Sequence, residues 1–213
     1  ALTRQQEASL LKACAASVSR SLHAAVTVLL QTGLRLTELR LLRWQQIDLL
    51  NEFLSVGQSK TERGAGRSVP LNTTAAATLR RWRQQFPEWK PTHFVFPSER
   101  VGFSNTRGVA KAYGSDPTKP ITSWKTAWTK ARKEARVTCR FHDLRHTCVT
   151  RLLENGTAFA KVATVMGWSP ATTTRMAKRY AHFEDRSIRD AMESLSRPTS
   201  APHAEADEWD TVQ

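Results

Sequence analysis

Between residues 141 and 182 the chain collects side chains suited to a phosphodiester. His142 and Arg145 stand three apart, so on a helix they share one face. Trp168 follows a glycine, and Tyr180 follows Lys178 and Arg179. In-line attack on a phosphodiester builds negative charge on its two non-bridging oxygens. Fixed guanidinium groups suit that charge, because arginine is always protonated and its fork matches the oxygens. Arg145 and Arg35 are the candidates for such a clamp. Tyr180 is the candidate nucleophile, and an unperturbed phenol, with a pKa of about 10, needs cationic surroundings or a base to attack. His142 could donate to the phosphate or exchange a proton with the nucleophile. Each residue also has a plainer reading. The arginines could be solvated, His142 could bond backbone at a helix start, and Trp168 and Tyr180 could be packing aromatics. A zinc site from Cys139, His142, His146 and Cys148 is disfavoured. Cys148 is two positions past His146, on another face, and Arg140 and Arg145 would crowd a cation.

Composition narrows the partner. The chain has 213 residues with 32 Lys+Arg against 19 Asp+Glu, a formal charge of +13. Residues 201–213 hold four acids and no Lys or Arg, which leaves +17 on the rest. A basic body of this kind favours a polyanion, nucleic acid before membrane. No apolar run approaches a membrane span, and no signal or lipidation motif is present. Three cysteines make no disulfide scaffold, which points to a reducing, cytoplasmic setting.

The elements that would position these side chains are mostly helical. Residues 3–18 read as a first helix capped by Thr3, and 22–31 as a second that stops at Gly33. Thr37 reads as the N-cap of a short helix reaching about Trp44, so Arg35 falls in the turn between two helices. Residues 46–57 and 67–71 read as strands joined by a polar, glycine-bearing hairpin loop. A helix over 72–85 and a short strand at Phe94–Phe96 follow. Residues 97–120, broken by glycines and prolines, read as a surface loop that touches a partner. Residues 121–136 read as a basic helix, with Lys125, Lys130, Arg132, Lys133 and Arg136 among tryptophans. It is either a solvated face over a core or a surface that tracks a nucleic-acid backbone. Helices over 142–154, 158–166, 171–180 and 184–195 complete the count. The tail, 196–213, is acidic and reads as disordered. The fold class is thus mainly α with a small antiparallel β-sheet or hairpin.

These residues lie in boxes that resemble the tyrosine recombinase (phage integrase) family. Thr32-Gly33-Leu34-Arg35, followed by Glu38-Leu39, is similar to the family's first arginine box. Gln58-Ser59-Lys60-Thr61 and Arg67-Ser68-Val69-Pro70-Leu71 are similar to its lysine hairpin. His142-Asp143-Leu144-Arg145 matches His-x-x-Arg, Gly167-Trp168 the Gly-His/Trp position, and Arg179-Tyr180-Ala181-His182 the nucleophile box. The match runs over roughly residues 3–190 in family order.

The resemblance implies a catalytic-domain-like fold over 1–195 and a site-specific recombinase that breaks and rejoins double-stranded DNA. In that scheme Arg35, Arg145, His142 and Trp168 hold the phosphate, with Glu38 supporting Arg35. Tyr180 forms a 3′-phosphotyrosine, and Lys60 protonates the leaving 5′ oxygen. Arg63, Arg67, Lys125, Lys130, Lys133 and Arg140 are the expected DNA contacts. No metal, cofactor or ATP is expected. Four protomers would act on two duplexes, with a monomer in the absence of DNA and a nucleoid-associated location. The separate amino-terminal DNA-gripping domain of complete members is expected to be absent. A DNA-binding module of the same fold without cleavage, or a topoisomerase of the type IB class, are the alternatives. One departure stands out. In many relatives the tyrosine follows the Gly-His/Trp position about one helical turn sooner, at the place Ala177 holds here. A hinge at Ser169-Pro170 and a longer helix are expected to keep Tyr180 facing the same way. Until DNA or a neighbour orders that segment, Tyr180 is expected to stand back from the phosphate.

Overall fold

Helix capping explains most element boundaries. In the computed structural model, which describes residues 1–57, 66–101 and 113–195, α1 (Arg4–Ala15) begins at Thr3. The Thr3 hydroxyl accepts from the Gln6 N–H and the Gln6 side chain accepts in return from the Thr3 N–H. α2 (Leu22–Thr32) is buried on nearly every side and ends at Gly33, whose φ of 64° is the left-handed stop that glycine tolerates. α3 (Leu36–Arg40) starts two residues earlier than the threonine suggested, with Arg35 rather than Thr37 at the N-cap. The reason is Glu38, whose carboxylate reaches back to accept the Arg35 N–H at 2.8 Å.

A 3-10 turn, Trp44–Gln46, leads into an antiparallel sheet of β1 (Ile47–Asp48), β2 (Phe53–Ser55) and β3 (Ser68–Pro70) in that order. Leu54 pairs with Ile47 on one side and Val69 on the other. The single strand expected over 46–57 is therefore two. Asp48 turns the chain by accepting the N–H groups of Leu50 and Asn51, and Glu52 takes a positive φ of 55°. After α4 (Thr73–Arg83), capped by Asn72, comes a second correction. Where a surface loop was expected over 97–120, β4 (Pro97–Val101) and β5 (Tyr113–Pro120) pair antiparallel. The Glu99 carboxylate holds this ribbon down by accepting from the Ser19 hydroxyl and the Ser21 N–H. Phe94 makes only an isolated bridge, with Arg43.

The rest is helical: α5 (Lys125–Ala135), α6 (Phe141–Glu154), α7 (Phe159–Met166) and α8 (Pro170–Ser194). The two helices expected over 171–180 and 184–195 are one. It begins directly at Pro170, with the Ser169 hydroxyl accepting from Thr172 N–H. The main core lies where α1, α2, α4, α5 and the start of α6 meet the sheet, around Leu29, Leu54, Phe96, Trp124 and Leu144. A second apolar cluster joins the later half of α6 to α7 and α8. It holds Cys148, Val149, Val162, Met166, Trp168 and Tyr180. No described helix is long and apolar enough to cross a membrane.

Candidate active site

The carboxyl end of α7 is the anchor of the site. A helix leaves its last carbonyls without intrahelical donors, and that end carries partial negative charge. Three arginines from three distant parts of the chain answer three consecutive carbonyls. Arg67, just before β3, donates from Nε to Val165 O at 2.9 Å. Arg145, inside α6, donates from Nη2 to Met166 O at 2.6 Å. Arg35, at the head of α3, donates from Nη2 to Gly167 O at 3.4 Å. Gly167 adopts a left-handed φ of 59°, and the N–H groups of Gly167 and Trp168 turn back to Thr164 O and Ala163 O. That closure lets the three carbonyls face outward together.

Glu38 ties two of the arginines to each other. It accepts from Arg35 Nη1 at 2.6 Å, from Arg67 Nη2 at 2.7 Å and from Arg67 Nη1 at 3.1 Å. Its side chain is 1 % exposed. Burial works against its ionisation, but the bonds from Arg67 and from the Arg35 backbone outweigh it, and the carboxyl is held at about 2. Arg145 also donates to Gly33 O, the carbonyl of the left-handed stop after α2. Burial first, and then the Arg35 charge, bring its pKa down to about 10, which leaves it cationic at neutral pH. Two guanidinium groups thus share one carboxylate, and the third, that of Arg145, feels its charge. The excess positive charge is fixed in place and suits an anion.

His142 stands largely exposed on the first turn of α6, and the partial desolvation of its ring on the protein side, followed by the Arg145 charge, depresses its pKa. One turn on, His146 meets it edge to face with ring centroids 4.7 Å apart. His146 Nδ1 lies 3.0 Å from Tyr180 Oη. Burial, then His142 and Arg179, lower His146 to about 4, so its imidazole is neutral at neutral pH. Tyr180 is only 6 % exposed, with its ring in the second apolar cluster. Burial raises its pKa, while Arg179, a hydrogen bond with Thr150 and the Arg145 charge pull the other way. The phenol is therefore protonated at neutral pH in this arrangement. Trp168 is buried in the same cluster, its ring 5.7 Å from that of Phe159.

Placement separates the sequence candidates. Arg35, Glu38 and Arg145 meet around α7, His142 flanks Arg145 on α6, and Tyr180 docks against α6 at His146. Trp168 faces the cluster that seats Tyr180. Arg67, expected to touch DNA, is instead an internal group: its side chain is 6 % exposed and is spent on Glu38 and Val165 O. Lys125, Lys130 and Lys133 are exposed along α5, whereas Arg132 of the same helix turns inward to Cys139 O at 2.8 Å. Arg140 is exposed and paired with Asp143 at 3.2 Å. Lys60, Arg63 and the acidic tail lie outside the described residues. His146, named above only among disfavoured zinc ligands, is a contact of Tyr180 that the sequence reading missed. Its spacing of four from His142 was the available signal, since that interval puts both rings on one helix face.

The chain matches the phage integrase family over residues 1–186, and it belongs to that family. It is 32 % identical to the integrase of Salmonella phage P22 over 166 residues, covering 76 % of this chain and 39 % of that protein. It is 29 % identical to the tyrosine recombinase XerD of Listeria monocytogenes serotype 4b over 181 residues, 78 % of this chain and 52 % of XerD. It thus spans about two fifths to one half of the length of these relatives. The fold recurs in the Tn1549 transposon integrase, residues 82–397, in complex with circular intermediate DNA. That likeness has a TM-score of 0.68 at 24 % identity, over 91 % of this chain and 66 % of the other. It recurs also in the catalytic domain of bacteriophage HP1 integrase, with a TM-score of 0.62 at 19 % identity, over 95 % and 98 %.

Proposed function

We propose that residues 1–195 form the catalytic domain of a site-specific DNA recombinase that breaks and rejoins strands through a 3′-phosphotyrosine. The observation that carries this reading is the cationic cluster of Arg35, Arg67 and Arg145 around one carboxylate, with His142 and a docked tyrosine beside it. In this scheme the scissile phosphate binds Arg35, Arg145 and His142. The Tyr180 oxygen bonds to phosphorus as its proton passes to a neighbouring neutral imidazole and the bond to the 5′ oxygen breaks, and Lys60 delivers a proton to that 5′ oxygen. A 5′ hydroxyl of another strand then reverses the step. The phosphodiester energy is kept in the tyrosyl ester, so the chemistry calls for neither ATP nor a metal.

Lys125, Lys130, Lys133, Arg140 and Arg63 supply phosphate contacts that hold duplex DNA without reading its sequence. Exchange between two duplexes cuts four strands and needs four nucleophiles, which supports four copies in the working assembly. The test is strand transfer between two labelled duplexes carrying a recombination site, run beside relaxation of a supercoiled plasmid. Joint molecules between the duplexes are the expected product. Relaxation without joint molecules would assign a topoisomerase instead, and binding with neither product would assign a DNA-binding module.

A further inference from the structure

Tyr180 makes polar contacts with α6 that the scheme above does not assign. Tyr180 Oη meets α6 at two side chains four residues apart, which the helical repeat puts on one face. His146 Nδ1 is 3.0 Å away, and Thr150 is the second partner. The Thr150 bond favours the ionised phenol. His146 is neutral, so its Nδ1, 3.0 Å from the phenol oxygen, can accept the phenolic proton when the imidazole is the tautomer protonated on Nε2. His146 is itself braced, with its ring packed at 89° against that of His142. Asp143 on the same helix, Arg179 on α8 and the chain's amino group also act on it electrostatically.

We propose that His146 is a positioning residue for the nucleophile: its Nδ1 accepts the Tyr180 hydroxyl, and its ring contact with His142 holds the phenol in register with the phosphate clamp. The assignment rests on the reading of Tyr180 as the nucleophile. Its physical content is directional. A phenol oxygen has one proton and two lone pairs. With the proton turned to His146, the lone pairs are oriented and the approach to phosphorus is confined. Attack succeeds only near an in-line approach at roughly 3–3.5 Å, and a misplacement of about 1 Å costs on the order of a hundredfold.

The experiment compares covalent trapping on a nicked duplex for the unaltered chain, His146→Ala, His146→Asn, His146→Gln and Tyr180→Phe. Asparagine puts an amide oxygen where Nδ1 stood, whereas glutamine puts its amide nearer the Nε2 position. The expected result is a trapping rate lowered roughly 10- to 100-fold in His146→Ala, with DNA affinity within about twofold of the unaltered chain. Asparagine should recover most of the rate and glutamine little of it. A purely steric role would give the opposite order, since glutamine better fills the space of the ring. The chain has two tyrosines, so ring-labelled tyrosine gives two carbon signals at the phenol carbon, assigned with Tyr113→Phe. In the DNA-free protein the Tyr180 signal should move in His146→Ala and return in His146→Asn. Trapping at the unaltered rate or faster in His146→Ala, no recovery in His146→Asn, or an unmoved Tyr180 signal would each overturn the assignment while leaving Tyr180 as nucleophile. An adduct that survives Tyr180→Phe would remove the reading beneath it.

Discussion

Replacing Glu38 by glutamine should cost the fold about as much as a large core deletion, although the side chain keeps its shape. The carboxylate is the shared partner of Arg35 and Arg67, and its side chain is 1 % exposed. A carboxyl held at about 2 instead of its ordinary 4.5 contributes about 3 kcal/mol at neutral pH. Breaking a buried ion pair from one side is independently worth about 3–5 kcal/mol, because the remaining charges stay buried. The sign with pH follows from the direction of the shift. The folded pKa is depressed, so this stability is fully present above pH 4.5 and is lost as pH falls towards 2. Urea unfolding followed by tryptophan fluorescence should therefore show Glu38→Gln less stable by about 3 kcal/mol at pH 7. The gap should hold down to about pH 5 and close below 4.5. A gap under about 0.5 kcal/mol at pH 7, the size of an ordinary surface change, would refute the reasoning. So would a gap that persists unchanged at pH 3. Because Glu38 also aims Arg35, residual folded Glu38→Gln should lose strand cleavage more than DNA affinity.

Gly33→Ala should destabilise more than Gly66→Ala, read by the same unfolding assay. Both glycines have positive φ, but a Cβ at Gly33 would run into the Met166 side chain, while at Gly66 it meets nothing within 4 Å. Equal losses would mean that backbone conformation alone sets the cost. Affinity for duplex DNA should fall at least about tenfold between roughly 50 and 200 mM salt, since phosphate contacts release counterions; a flat titration by fluorescence anisotropy would count against the +17 body as the binding surface. Lys60→Ala should cleave an ordinary duplex slowly and a 5′-bridging phosphorothiolate at near the unaltered rate, because a thiolate leaves without a proton. Equal slowness on both substrates would take the general-acid role from Lys60.

Where a boundary depends on a few adjacent residues, the sequence carried it. Thr3 with Gln6 announces α1, Gly33 ends α2, and Asn155-Gly156 ends α6. Arg35 was correctly put between two helices, although the cap that begins α3 belongs to Arg35 and Glu38 and not to Thr37. The β1–β2 reversal escaped notice because it is made by Asp48 and a positive-φ glutamate, next to two leucines that look like strand interior. The ribbon of β4 and β5 was hidden by its glycines and prolines. What fixes it is Glu99 reaching residues nearly eighty positions earlier, and no local window contains that bond. The site divides in the same way. Arg35, His142, Arg145 and Tyr180 were visible as types in boxes. The distribution of three guanidiniums over the carbonyls of 165–167 was not, because it depends on how α7 ends against α3, α6 and β3. Arg67 looked like a surface cation for that reason, and nothing near His146 in the sequence announces the phenol that α8 brings to it.

The central claim is that Tyr180 becomes joined to DNA. A nicked duplex whose short 5′ fragment diffuses away after cleavage traps that species, and protease digestion followed by mass spectrometry locates it. The account predicts a single modified peptide with the nucleotide remnant on Tyr180, no adduct in Tyr180→Phe, and DNA affinity in that variant close to unaltered, since one hydroxyl adds little to a phosphate-dominated interface. An adduct on Tyr113, or one that persists in Tyr180→Phe, would contradict it.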